Sequence, residues 1–273
     1  MPRTTRQSDS IHIVRHLTRR ELLAGSATLA LGVAGATASA AATGASSARG
    51  RRLLEGRAVG IDPGHNGQNW ADPGFINESI WNGHNVETCD TTGTATDAGY
   101  TEALFNWNVS VQLRSRLEAL GARVVMTRDS NSGVGPCVTT RAQIIDRGKV
   151  DVAIDIHADG GPPSGRGFTV LVPVRDFENA KVIDSSYLFG LAVRTAFRER
   201  TVMPQSDYYG TDGIQPRNDL AGLNLTTVPK VLIECGNMRN AVDAGLLVTD
   251  AFQTQVARAL EAAIVSFLVP GRA

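Results

Sequence analysis

The stretch Val150-Asp151-Val152-Ala153-Ile154-Asp155-Ile156-His157-Ala158-Asp159 decides how this chain folds. Val152, Ile154 and Ile156 fall on alternate positions, so a strand over Val150–Ile156 presents one apolar face. Polar residues crowd its carboxyl end. Upstream, Val138–Arg147 reads as a short helix and Arg123–Thr127 as a β-branched strand. Before them, Glu102 to Leu120 carries Leu104, Trp107, Val111, Leu113, Leu117 and Leu120 at helical spacing, and Gly121 is a stop signal. Arg57–Asp62 is a short apolar strand ending at Pro63-Gly64. Downstream come a strand at Gly167–Val172, a helix at Ser185–Arg200, a buried strand at Val228–Glu234 and a terminal helix at Asp250–Leu268. Strands separated by helices predict an α/β fold: a single domain, 57–269, with a central, mainly parallel twisted sheet and helices on both faces. Residues 66–100 lack helical periodicity and are dense in Gly, Asn, Thr and Asp. They predict a long loop or a small hairpin insertion, and loops of that length usually carry function.

The amino-terminal 40 residues read as a leader rather than as part of the fold. Arg19-Arg20 precede a weakly apolar, Ala- and Gly-rich run from Ala24 to Ala36, and Ala38-Ser39-Ala40 supplies the small residues a signal peptidase needs. This is the pattern of a twin-arginine secretory signal, which predicts an exported protein of the periplasm, cell envelope or medium. The run is too short and too rich in glycine to span a bilayer comfortably, so no stable membrane insertion is expected. Residues 41–56, rich in Ala, Ser, Gly and Arg, read as a linker.

The whole chain has 27 basic and 27 acidic residues. Residues 1–40 hold five Arg and two acidic residues, leaving 22 against 25, a net charge of −3. No basic excess points to nucleic acid. Among the cysteines, Cys89 and Cys137 lie in loop-like sequence and form the candidate disulfide of an exported protein. Cys235, at the end of an apolar strand, reads as a small buried hydrophobe, with a catalytic thiol as the sharper alternative. A monomer is expected.

Beyond the leader only His65, His84 and His157 remain as histidines. His65 follows the first strand, and His157 and Glu234 each end a strand. Ligands of open α/β sheets bind beyond the carboxyl ends of strands, so these side chains can converge although they are far apart in sequence. Two imidazoles and a carboxylate make a common catalytic zinc set, and a further carboxylate would move the proton. Glu102 starts its helix after a Gly-rich loop, where a negative charge complements the helix dipole. Plainer readings exist: His65 as a loop hydrogen bonder, His157 as a strand-end histidine, Glu102 as a helix-start charge. A buried Glu234 is harder to explain that way, because an unpaired buried carboxylate is costly.

In order along the chain stand Ile61-Asp62-Pro63-Gly64-His65-Asn66-Gly67; Glu102 with Asn106 and Leu113; Gly121 to Arg128; Arg141; Asp155-Ile156-His157-Ala158-Asp159; and Pro229 through Glu234 to Gly236-Asn237. Together they resemble the amidase-3 family of zinc-dependent N-acetylmuramoyl-L-alanine amidases, over about Val59 to Leu268. The resemblance implies that His65, Glu102 and His157 hold Zn2+ and that Glu234 is the catalytic base, which replaces the strand-end ligand set. It implies a peptidoglycan hydrolase, acting on wall or muropeptide fragments, that cuts the amide between the lactyl group of N-acetylmuramic acid and L-alanine. The chain departs from the family at Asp159, where Asn is frequent, and in its Asn- and Thr-rich segment 66–100, which contains Trp70, Trp81 and His84. Glu78 and Glu87 in that segment are rival ligands to Glu102. Arg217, Asn218 and Asp219 are candidate substrate contacts, since Arg suits peptide carboxylates; a solvated loop is the alternative. The expected site is a shallow groove at the sheet's edge. A zinc peptidase cutting within the stem peptide and a non-catalytic wall-binding protein are the rival functions.

Overall fold

A computed structural model describes residues 52–175 and 178–271; the expected signal and most of the expected linker lie outside these residues. In chain order the elements are β1 (Ala58–Pro63), α1 (Pro73–Ile76), β2 (Ser79–Trp81), β3 (Val86–Thr88), α2 (Glu102–Ala119), β4 (Arg123–Met126) and α3 (Val138–Arg147). Then follow β5 (Val152–Asp159), β6 (Thr169–Pro173), α4 (Ile183–Arg200), β7 (Ile214–Arg217), α5 (Ala221–Asn224), β8 (Lys230–Asn237), α6 (Ala241–Leu247) and α7 (Asp250–Leu268). The main sheet has six strands in the order β4-β1-β5-β8-β6-β7. All its pairings are parallel except β6 with β8.

The alternation seen in Val150–Ile156 runs through the sheet. Val59, Ile61, Val152, Ile154, Ile156, Val231, Ile233, Val170 and Val172 share one buried cluster with residues of α2, α4 and α7. The opposite face carries smaller clusters: Ala58, Ile145, Val150 and Ala153 under α3, and Leu171, Leu223 and Leu232 under α5. Gly60 lets α3 come close, since a Cβ there would lie 2.6 Å from Ile145 Cδ1. Between those clusters the second face is charged.

Three sequence expectations are corrected in detail. Residues 52–56, assigned to a linker by composition, form a turn in which Leu54 is fully buried in the main core and its N–H donates to the Leu120 carbonyl. The buried stripe of α2 is Phe105, Val109, Leu113 and Leu117, while Leu104, Trp107 and Val111 are only half-buried. The reason is a polar use of the neighbouring face: Asn106 Nδ2 donates to the Gly64 carbonyl at 3.1 Å, and Trp107 lies under the Arg128 guanidinium. Finally, β5 and β8 run on to Asp159 and Asn237, past the ends that hydrophobicity alone assigns, because the two strands go on pairing beyond a register shift that follows His157. Segment 66–100 does contain a hairpin, β2 with β3, antiparallel.

Candidate active site

Asp62, Asp155, His157, Lys230, Leu232 and Glu234 all stand on the charged face. Register requires this: Asp62 pairs with Asp155, Asp155 with Leu232, and His157 with Glu234, and paired residues of parallel strands share a face. The groove above them therefore lies over β1, β5 and β8 in the middle of the sheet, not at its edge as expected. It has a volume of about 400 Å³.

His65 leaves β1 with φ of 58°, a left-handed backbone that turns its ring back over the strand ends. Glu102 arrives from the other side. Thr101 caps α2 by accepting from the Leu104 N–H, and the first-turn carboxylate reaches the end of β5. There Glu102 Oε1 lies 2.8 Å from His157 Nδ1, and Oε2 lies 3.3 Å from His65 Nε2. One ligand atom from each of His65, Glu102 and His157 lies within 4.8 Å of the others, so this trio could hold a metal ion. The Thr94 N–H also donates to Glu102 Oε2. The two imidazoles stand nearly edge-on, with ring centroids 4.9 Å apart. Gly64 is a spacing requirement: a Cβ there would lie 2.2 Å from His157 Cε1 and Nε2.

The trio is strongly polarised. Burial alone would lower the His65 pKa, but the Glu102 charge and the Asp90 hydrogen bond outweigh it and raise it to about 9. Burial likewise opposes protonation of His157, and Asp155 and Glu102 overcome it, holding that ring well above its ordinary range. Glu102, despite burial, is kept well below the usual carboxylate range by the two histidines. Glu234 goes the other way: burial pushes it up to about 8, with Glu102 and Asp159 adding to the rise against the pull of His157 and His65. Its Oε2 is buried and has no hydrogen-bond partner among the described residues.

Residues 59–266 match the protein family described as N-acetylmuramoyl-L-alanine amidase. This chain belongs to that family. It is 37% identical over 216 residues to an N-acetylmuramoyl-L-alanine amidase of Mycobacterium tuberculosis, covering 79% of this chain and 88% of the relative. The crystal structure of the amidase Ami1 from Mycobacterium smegmatis superposes with a TM-score of 0.75 at 39% identity, over 79% of this chain and 98% of that one. The amidase AmiC2 of Nostoc punctiforme shares the fold at 22% identity and a TM-score of 0.59, over 78% of this chain and 97% of that one.

Other expected site residues of this amidase fall as follows. Glu87 lines the groove but stays outside the trio; it accepts from the Ala221 N–H at 3.2 Å, and Glu78 does not line the groove. The hairpin is thus one wall of the groove and touches the facing wall, where Asn218 Nδ2 also lies 3.2 Å from His84 Nε2. Arg217 lines the groove, its guanidinium held by Asp219 and by the Tyr209 hydroxyl. Asp159 accepts a 2.6 Å hydrogen bond from Tyr208. Cys89 and Cys137 are both free, buried thiols beside one another; burial and the neighbouring Cys137 push Cys89 up to about 12. Cys235 is buried, and its thiol is driven well above its ordinary range by burial, opposite to what a nucleophile needs.

Sequence reasoning gave no role to Asp90 or Lys230. Lys230 is 1% exposed, with Nζ 2.7 Å from Asp62 Oδ2 and 3.7 Å from Asp155 Oδ2. A lysine starting an otherwise apolar strand was the available signal. Asp90 had none, because its partners, His65 and Arg141, are set by the path of the loop.

Proposed function

We infer that this amidase cuts the bond between the lactyl carbonyl of N-acetylmuramic acid and L-alanine with zinc held by His65, Glu102 and His157, and with Glu234 as general base and acid. Family membership supports the amidase activity. The convergence of the trio beside Glu234, whose Oε2 is buried without a hydrogen-bond partner among the described residues, supports the zinc-assisted reading. Two imidazoles and one carboxylate suit zinc, whereas magnesium and calcium favour oxygen ligands. A zinc ion there would supply Lewis acidity, lowering the pKa of a water toward about 7 and polarising the scissile carbonyl.

The chain's own residues do the rest. Glu234, two positions along the same face from the apolar Leu232, borders the reacting centre. Its carboxylate takes a proton from the attacking water as the new C–O bond forms. The same proton passes to the alanine nitrogen as the C–N bond breaks, leaving a lactyl carboxylate and a free L-alanine amino terminus. Leu171, Leu220 and Leu232 give the groove an apolar floor beside this centre. Arg217, which lines the groove, contacts the stem peptide, with Asp219 holding its guanidinium and Asn218 next to it; Asn218 and Asp219 do not themselves line the groove.

The amidase works outside the cytoplasm as a monomer, exported on a signal in residues 1–40 and trailing a linker, and Cys89 and Cys137 close a disulfide there. In that step a disulfide-bearing oxidant takes up the two electrons and two protons of the thiols. No helix among the described residues is long and apolar enough to cross a membrane. Metal analysis of the purified chain with mass spectrometry of digested peptidoglycan tests the reading. Bound zinc with free L-alanine amino termini is expected; cuts inside the stem peptide would make it a peptidase, and wall binding without release would make it a binding protein.

A further inference from the structure

Each histidine of the trio turns one ring nitrogen to Glu102 and the other to a separate buried carboxylate, in opposite senses. His65 faces Glu102 with Nε2; its Nδ1 lies 3.1 Å from Asp90 Oδ1 and 3.2 Å from the Thr91 carbonyl. His157 faces Glu102 with Nδ1; its Nε2 lies 3.2 Å from Asp155 Oδ1. Asp155 Oδ1 has no aligned hydrogen bond, so this ring nitrogen is its one close ionic contact among the described residues. Gly64 closes the same edge of the His157 ring, since the nearest approach to a Cβ there is at Cε1 and Nε2.

Behind the rings the two carboxylates belong to one buried chain of alternating charge. Asp90 Oδ2 lies 3.2 Å from Arg141 Nη2, and Arg141 Nη1 lies 3.1 Å from Asp62 Oδ1. Asp62 Oδ2 accepts from Lys230 Nζ, which reaches on to Asp155. Thr127 holds Asp62 from the side at 2.6 Å. A network with both ends on ring nitrogens of one cluster does more than fill space: Asp90 hydrogen-bonds His65 Nδ1, and the Asp155 charge faces His157 Nε2 at 3.2 Å, each favouring a proton on the nitrogen it faces.

Building on the zinc reading above, we propose that Asp90 and Asp155 are positioning residues that set opposite tautomers of the two histidines. His65 keeps its proton on Nδ1 and presents Nε2. His157 keeps its proton on Nε2 and presents Nδ1. Asp62, bridged by Arg141 and Lys230, locks the two settings together. Segment 66–100 thereby contributes to the reacting centre through Asp90 as well as walling the groove.

Long-range proton–nitrogen NMR of the full chain, titrated with zinc, reads this without a variant. The expected spectra show a protonated Nδ1 on His65 and a protonated Nε2 on His157, with the metal-induced shift on the other nitrogen of each ring. Shifts on the same nitrogen type in both rings overturn the proposal while leaving the zinc reading intact; a chain that binds no zinc overturns both. Chelator competition on Asp90→Asn and Asp155→Asn gives the second arm. Each substitution is expected to weaken zinc binding about 10- to 100-fold. Parental affinity in both variants overturns the positioning role.

Discussion

On one face of the sheet β1, β5 and β8 present Val59, Ile61, Val152, Ile154, Ile156, Val231 and Ile233; on the other the same strands present Gly60, Asp62, Asp155, His157, Lys230 and Glu234. The first set is buried under three helices with nothing but apolar contacts to satisfy. In the second, Asp62, Asp155 and Lys230 are buried almost as deeply, with Asp62 at 1% exposure, and hold one another by direction and charge, while His157 and Glu234 are half-buried. Apolar burial is tolerant of shape and supplies stability in proportion to area. A buried charge contributes only if its partner is in place, and losing one partner strands the other. The thick face therefore holds the fold, and the thin face spends that stability on holding a reactive geometry. Because strand side chains alternate, a slip of one residue would exchange the two sets.

Several substitutions would break or sharpen this division. The largest effect is expected at Glu234, where Gln keeps the shape and removes the base. Turnover of a muramoyl peptide should fall about 10²- to 10⁴-fold, with zinc content and melting temperature unchanged. Full turnover in that variant would remove Glu234 from the chemistry.

The same carboxyl governs pH dependence. It must be ionised to accept a proton, and burial raises it from its ordinary value of 4.5 to about 8. The rate should thus fall as pH drops through its pKa, with the acid limb of kcat/KM above 4.5; a bound dication opposes burial and draws the limb down from about 8. A limb at or below 4.5 would show that burial does not control this group.

Next come paired substitutions, one on each face. Phe189→Ala opens the apolar core, and Lys230→Met removes the buried cation between Asp62 Oδ2 and Asp155 Oδ2. Each should lose about 3–5 kcal/mol in denaturant unfolding, for these different reasons. A Lys230→Met protein as stable as its parent would mean that the charged face contributes nothing to folding.

Gly64→Ala should act mainly on the site. The added methyl must displace the His157 ring, so zinc affinity by chelator competition should drop at least about tenfold. The smallest effect is expected at the exposed Arg114–Glu118 pair, 3.7 Å apart on α2. Arg114→Ala should change unfolding free energy by no more than about 0.5 kcal/mol and leave activity alone.

The sequence by itself determined the alternation of strand and helix, since apolar periodicity is local. It places α3 at Val138–Arg147 and α7 at Asp250–Leu268, the bounds seen in the structure. It also marked His65, Glu102, His157 and Glu234, the first three of which bring ligand atoms within 4.8 Å of one another. What it missed depends on direction in space. Leu104 and Trp107 match the helical period as well as Phe105 and Val109 do, and only packing against the sheet and α7 selects between them. Asp62 and Asp155 look like interruptions of apolar strands until register puts them on one face, and Asp90 has no local signature because a loop path carries it to His65. Only the tertiary structure decided that the groove lies over the middle strands, and which nitrogen of each imidazole faces Glu102. Periodicity sets which side a residue takes, whereas pairing between distant segments sets what it meets there.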